Sequence, residues 1–208
     1  MQLTALIFLT LDGVYQAPGG PDEDRRGGFE RGGWLGRHAD AESGAFIRSL
    51  YARADALLLG RVTYDIWAPY WPEQDDADPL ARTIKALPKH VVSTTLRDPT
   101  WGPTRVIADD VESAVRSLKA EPGREVLVQG SGVLLRFLLG CGLVDELNVL
   151  LVPTVLGEGF RLFPERGPVY DLGLVASRPT PSGSTILTFR PGGTVAAPGG
   201  DQSSRPSP

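Results

Sequence analysis

ADALLLGRVTYDIW, residues 54–67, joins an apolar run of strand length to the opening of a helix at a single glycine. A buried strand that runs straight into a helix leaves unpaired backbone N–H groups and the positive end of a helix dipole at the junction, and both favour an anion. Gly60 lets the backbone turn and approach a ligand, Arg61 offers a planar, permanently charged fork, and Thr63 adds a hydroxyl. The alternative is an ordinary strand-to-helix turn with a solvated arginine, since Gly-Arg at a turn is weaker than a full phosphate-loop signature.

Upstream, residues 40–53 carry Phe46, Ile47, Leu50 and Tyr51 on one helical face, with Asp40 as the N-cap. Residues 3–11, LTALIFLTL, are apolar on both faces, as expected of a central strand, and Asp12-Gly13 ends them with turn chemistry. Between these elements lies a segment of Gly, Pro and charge, residues 13–37. Loops of that length inside a domain usually serve function, and Tyr15, Phe29 and Trp34 argue for a lid that packs.

Downstream of the helix that starts near Thr63, Tyr70 and Trp71 stand among prolines and acids. With Trp67 they form either an aromatic pocket wall or a plug that packs a loop onto the core. A short helix (79–87) leads to a strand that ends in Ser93-Thr94-Thr95, with Arg97 following. This is a second candidate anion site, although hydroxyls at strand ends also cap turns. A strand at 104–108 precedes a helix capped by Asp109 or Asp110, which Pro122-Gly123 breaks. EVLVQ (125–129) runs through Gly130-Ser131-Gly132 into the apolar helix 133–139, a second strand–glycine–helix junction with room for a pyrophosphate. Leu135 stands where the dinucleotide fingerprint requires its third glycine. The remaining pieces are a strand over 144–155 interrupted at Pro153, a Gly-hinged loop holding Glu158, and a hairpin of strands 170–177 and 184–190. Residues 1–190 are thus expected to form one domain, and 191–208, rich in Gly, Pro and Ser, a disordered tail.

Composition narrows the classes. With 208 residues, 41% hydrophobic and 22% charged, the chain is expected to fold around one sizeable core. A net charge of −4 gives no nucleic-acid footprint. One cysteine, Cys141, and two histidines, His38 and His90, provide neither an internal disulfide nor a zinc cluster, so no metal is expected. No run reaches the length of a membrane span, and the apolar start lacks a basic leader; a cytoplasmic location is expected.

Five motifs in order, LTLDG (9–13), residues 54–67, VVSTTL (91–96), VLVQGSGVLLRFLL (126–139) and LVDELNVLLVPTVLGEGFRLF (143–163), resemble the dihydrofolate-reductase-like family that includes the reductase domain of riboflavin biosynthesis. The intervening QAPGGPDEDRRGGFERGGW (16–34) is similar to that of stand-alone members. The resemblance implies an α/β fold, a mostly parallel mixed sheet flanked by helices with a C-terminal antiparallel hairpin. It also implies NADPH across the carboxyl ends of the strands. By resemblance, Gly60, Arg61 and Thr63 meet the adenosine-side phosphates, and Ser93 and Thr94, with Arg97, share the 2′-phosphate with Arg61. Gly130, Ser131, Gly132, Val133 and Leu134 line the pyrophosphate and nicotinamide ribose. Arg61 has no other evident partner in the sequence, which favours NADPH over NADH.

The expected activity is NADPH-dependent reduction of a C=N or C=O group in a small heterocyclic or conjugated compound. The alternatives are the riboflavin-pathway reduction of a phosphoribosylaminouracil and a non-catalytic NADPH-binding module. Folate enzymes carry a carboxylate on the first helix. Here that place falls near Gly44, with Glu42 and Asp40 out of register, which argues against folate. Asp12, Tyr15, Glu42 and Glu158 are the candidate proton donors, and Trp34, Trp67 and Tyr70 the candidate acceptor wall. A sheet edge and the family resemblance point to a homodimer.

Overall fold

The run at 3–11 becomes β1 (Gln2–Thr10), which sends Leu3, Ala5, Ile7 and Leu9 into one core and Leu6 into another on the opposite face. That alternation follows from the two-residue period of a strand, and covering both faces requires helices on both sides. The computed structural model describes residues 1–195. Its other strands are β2 (Ala54–Gly60), β3 (Lys89–Val92), β4 (Thr104–Ile107), β5 (Glu125–Gln129), β6 (Glu146–Val152), β7 (Val169–Pro179) and β8 (Thr185–Val195). All eight form one sheet in the order β4-β3-β2-β5-β1-β6-β8-β7. Neighbours from β4 to β6 are parallel. β8 then runs antiparallel to β6, and β7 antiparallel to β8. The expected fold class is the observed one.

Helices α1 (Ala41–Arg53), α2 (Arg61–Trp67), α3 (Pro79–Ala86), α4 (Val111–Ala120) and α5 (Gly132–Gly140) cover the sheet. α4 and α5 bury Val115, Leu118, Leu134, Leu135, Leu138 and Leu139 against one face. α1 and α3 bury Leu50, Tyr51 and Ile84 against the other, with Tyr64 and Trp101. Each such side chain contributes about 1.5–3 kcal/mol on leaving water. Asp40 caps α1 through a reciprocal box, accepting from Ser43 N–H at 2.7 Å while Ser43 Oγ accepts from Asp40 N–H at 3.2 Å.

Two boundaries differ from expectation. β6 stops at Val152, because Pro153 has no N–H for the ladder and Thr154 N–H turns back to Val152 O. The hairpin is longer than read. β7 starts at Val169, and β8 runs past Pro191 to Val195, opposite β7 with register shifts at Tyr170/Leu172 and Leu174/Ala176. The remainder of the expected tail, 196–208, lies outside the described residues.

The segment 13–37 is packed. Val14, Ala17, Phe29 and Trp34 form a third small core with Val152 and Leu156. Gln16 staples it, with Nε2 donating to the carbonyls of Asp24 (3.1 Å) and Arg26 (2.9 Å) and Oε1 accepting from Phe160 N–H (3.0 Å).

Candidate active site

β2 and β5 are parallel neighbours, so the two strand–glycine–helix junctions come together at one end of the sheet. Their contact is tight. A Cβ on Gly60 would lie 2.3 Å from Ser131 Oγ, and one on Gly132 would lie 2.4 Å from the Tyr15 ring. Gly60 has an ordinary extended backbone, so close approach and not conformation requires glycine there. Gly130 and Ser131 both have left-handed φ, +61° and +52°, and a Cβ on Gly130 would sit 3.2 Å from Thr63 Oγ1. Ser131 Oγ caps α5 by accepting from Leu134 N–H at 3.4 Å. The first N–H groups of α5, at Gly132 and Val133, have no partner inside the helix. Gly60, Thr63, Gly130, Ser131, Gly132 and Tyr15 thus meet at one place.

Arg61 is not free, contrary to the expectation that it lacks another partner. Its Nε donates to both Asp65 oxygens at 2.7 Å, one helical turn on, and Nη1 reaches Thr95 Oγ1 at 3.3 Å. The hydroxyl that Arg61 hydrogen-bonds is therefore that of Thr95. Ser93 is buried, and its Oγ accepts from Thr95 and Leu96 N–H (3.1 and 2.9 Å), capping its own turn. Neither Ser93 nor Thr94 nor Arg97 lines the cavity that the junctions open into.

That cavity has a volume of about 940 Å³. Gly60, Arg61, Thr63, Gly130, Ser131, Val133 and Leu134 line it. Phe8, Leu35, Trp67, Tyr70 and Trp71 form an apolar wall, and residues 15–24 with Arg26 cover it. Trp71 makes edge-to-face contacts with Trp67 and Tyr70, centroids 5.5 and 5.2 Å apart, so these rings both wall the cavity and pack on one another. Trp34, expected in the wall, does not reach the cavity. It is 1% exposed, and its Nε1–H donates to Gln16 O at 2.8 Å, anchoring the covering segment.

Among the candidate acids, only Tyr15 lines the cavity. Asp12 is a clasp between the turn after β1 and the 156–161 loop. It accepts from Thr10 Oγ1 (2.7 Å), Leu156 N–H (3.2 Å) and Gly157 N–H (2.8 Å), and pairs with Arg161. Burial raises its carboxyl, but those hydrogen bonds outweigh it and bring the pKa to about 2. Glu42 lies exposed in the first turn of α1, and Glu158 pairs with Arg31 at 2.9 Å on the surface. An ionised, clasped or outward-facing carboxylate is poorly placed to donate a proton in the cavity. Cys141, at the end of α5, has its thiol pushed up by burial and by Glu112, as expected of an unreactive cysteine.

Gln129 and Glu23 are among the lining residues that the sequence did not single out. Gln129 ends β5, is buried, and accepts from Tyr51 Oη at 3.1 Å. A polar residue closing an otherwise apolar strand beside a glycine turn was its signal. Glu23 lies on the cover, where its Oε2 accepts from Gly19 and Gly20 N–H (2.5 and 3.2 Å). Burial pushes its carboxyl up, those N–H bonds pull it back, and Asp24 adds to the rise. It carried no local signal among the acids of PDED.

This arrangement has relatives. A family model described as the RibD C-terminal domain matches residues 2–186. The chain belongs to the RibD C-terminal domain family. A protein of Bacillus subtilis (strain 168), named "Uncharacterized protein YyaP", is 30% identical over 138 residues, 65% of this chain and 73% of that protein. Among solved structures, a putative riboflavin biosynthesis protein from Shewanella sp. PV-4 has a TM-score of 0.70 at 22% identity, covering 92% of this chain and 99% of that one. A pyrimidine reductase-like protein from Corynebacterium diphtheriae has a TM-score of 0.60 at 14% identity, covering 94% and 92%. Dihydrofolate reductase from Enterococcus faecalis, complexed with NADP(H) and RAB-propyl, has a TM-score of 0.58 at 15% identity, covering 92% and 96%. Membership of the RibD C-terminal domain family supports a reductase-type oxidoreductase, and the solved structures share its fold. No helix among the described residues is long and apolar enough to cross a membrane.

Proposed function

We propose that the protein is an NADPH-dependent reductase of a C=N or C=O group in a small planar compound. The observation that carries this is the joining of the two glycine junctions at one cavity that Trp67, Tyr70 and Trp71 also line. The residues present fit a dinucleotide. Among the described residues the Gly132 and Val133 N–H groups have no hydrogen-bond partner, which suits a pyrophosphate, and left-handed Gly130 lets the backbone come close to it. Arg61 with Thr95 offers a charged fork and a hydroxyl to a 2′-phosphate, and Thr63 adds a second hydroxyl. The Enterococcus faecalis neighbour, complexed with NADP(H), supports the same choice.

A bound dihydronicotinamide supplies the hydride. The chain's own task is to hold the acceptor face-on against the aromatic wall and to exclude water with residues 15–24. Nicotinamide fluorescence titration tests the reading. NADPH is expected to bind more tightly than NADH, and Arg61→Ala to remove most of that preference, about 1.5–3 kcal/mol for a charge-assisted contact. If neither nucleotide binds, the reading fails. Turnover of any acceptor separates a reductase from a module that only holds the nucleotide.

The assembly is proposed to be a homodimer. β7 is the sheet edge and exposes Leu174 (59%) and Val175 (57%), a strand that a second copy would cover. Light scattering at micromolar concentration is expected to give twice the chain mass; a monomer would remove this proposal.

A further inference from the structure

Resting on the reductase reading, the substrate class follows from how charge is arranged around the cavity. Arg26 and Arg61 are the basic side chains that line it. Each already holds a carboxylate. Arg26 grips Asp24 through Nε (2.8 Å) and Nη2 (2.6 Å), and Arg61 grips Asp65. Arg61 also stands at the glycine-junction end, the end assigned to the nucleotide. Of the other acids that line the cavity, Asp22 pairs with Arg25, which leaves Glu23, held by two backbone N–H groups, as the lining carboxylate without a cationic partner among the described residues. The lining of the cavity thus combines aromatic faces, one carboxylate without a cationic partner among the described residues, and two bases that each already hold a carboxylate.

A phosphate or carboxylate on the acceptor would lose its water there and meet only bases that already hold a carboxylate. A planar cation would find the faces of Trp67, Tyr70 and Trp71, whose negative π-clouds attract it, and the Glu23 carboxylate. We propose that the acceptor is a planar compound without phosphate or carboxylate, reduced at a positively charged C=N group. The step balances without a proton. The C–H pair leaves C4 of the dihydronicotinamide and forms a new C–H bond at the C=N carbon. The π pair moves to nitrogen, which becomes neutral, while the nicotinamide is oxidised by two electrons. Asp12, Glu42 and Glu158 lie away from the cavity, and the step makes no call on Tyr15, the candidate donor that lines it. It also disfavours a phosphoribosylaminouracil, whose phosphate would have to compete with Asp24 for Arg26 or with the nucleotide for Arg61.

The test uses the full-length protein loaded with NADP⁺, which binds without turnover. Tryptophan fluorescence is titrated with N-methylquinolinium, quinoline and quinoline-6-carboxylate, one ring system in three charge states. The cation is expected to bind about tenfold or more tightly than the carboxylate, and Glu23→Gln to narrow that ratio about threefold or more. Millimolar ribose 5-phosphate is expected not to displace the cation. Equal or tighter binding of the carboxylate, displacement by ribose 5-phosphate, or a ratio unchanged in Glu23→Gln would overturn the proposal. So would failure of all three rings to bind while NADP⁺ binds. Failure of NADP⁺ itself to bind would instead overturn the reductase reading.

Discussion

The two sides of the cavity are built by different means. The glycine-junction side follows from the sheet. Once β2 and β5 pair, Gly60 and Ser131 must meet, and a short motif at each strand end fixes the rest. The cover, residues 13–37, has no regular ladder beyond the Val14–Arg161 bridge. It is held by side chains reaching across the chain, with Gln16 bound to Phe160 and Asp12 to Leu156, Gly157 and Arg161. One side is therefore as rigid as the sheet, while the other depends on a few anchors.

Trp34→Ala strikes the main anchor and should have the largest effect. Truncating a fully buried tryptophan costs about 3–5 kcal/mol. If the cover is a separately held piece, part of that loss appears as local opening. Hydrogen exchange is then expected to speed up across residues 13–37 while β2 and β5 stay protected. Uniform loss of protection would show that cover and sheet unfold together, and the comparison would break.

Gly60→Ala strikes the other side and should cost less, about 1–3 kcal/mol for an overpacked methyl group. Its added carbon would lie 2.3 Å from Ser131 Oγ, so the two junctions must separate. Nucleotide affinity is expected to fall more than the melting temperature suggests. A variant with normal affinity would mean that the contact between the junctions does not shape the site.

The same contrast explains what the sequence reveals. The sheet and its helices are legible because strand and helix periods, caps and glycine turns are local signals: Asp40 before α1 and Gly130-Ser131-Gly132 after β5 both stand where expected. The contacts that dock the cover on the domain join residues more than a hundred positions apart, as Gln16 with Phe160 or Trp34 with Val152 and Leu156, and no local pattern announces them. Trp34 thus reads as a pocket aromatic although it is an anchor, and Asp12 reads as a proton donor although it is a clasp. Ser93 is ambiguous for a different reason. Its hydroxyl has two possible uses, ligand or turn, and only the fold shows that Thr95 and Leu96 take it.

Asp65→Asn makes the smallest change and tests the junction side most finely. The Arg61–Asp65 pair is solvent-exposed, with side chains 36% and 48% accessible, so breaking it should cost no more than about 1 kcal/mol of stability. Its effect on binding is more informative, because Asp65 occupies the fork that a 2′-phosphate would use. If the two compete, removing the carboxylate's charge frees Arg61 and removes a repulsion. NADPH affinity is then expected to rise about three- to fivefold, equivalent to under about 1 kcal/mol, with NADH unchanged. If Asp65 instead holds the guanidinium in position, NADPH affinity falls in Asp65→Asn as it does in Arg61→Ala. Parallel titrations of both nucleotides on the two variants decide between a competing and an orienting Asp65. A rise confined to NADPH would also show that the 2′-phosphate is read at the end of β2, on the side of the cavity that the sheet itself builds.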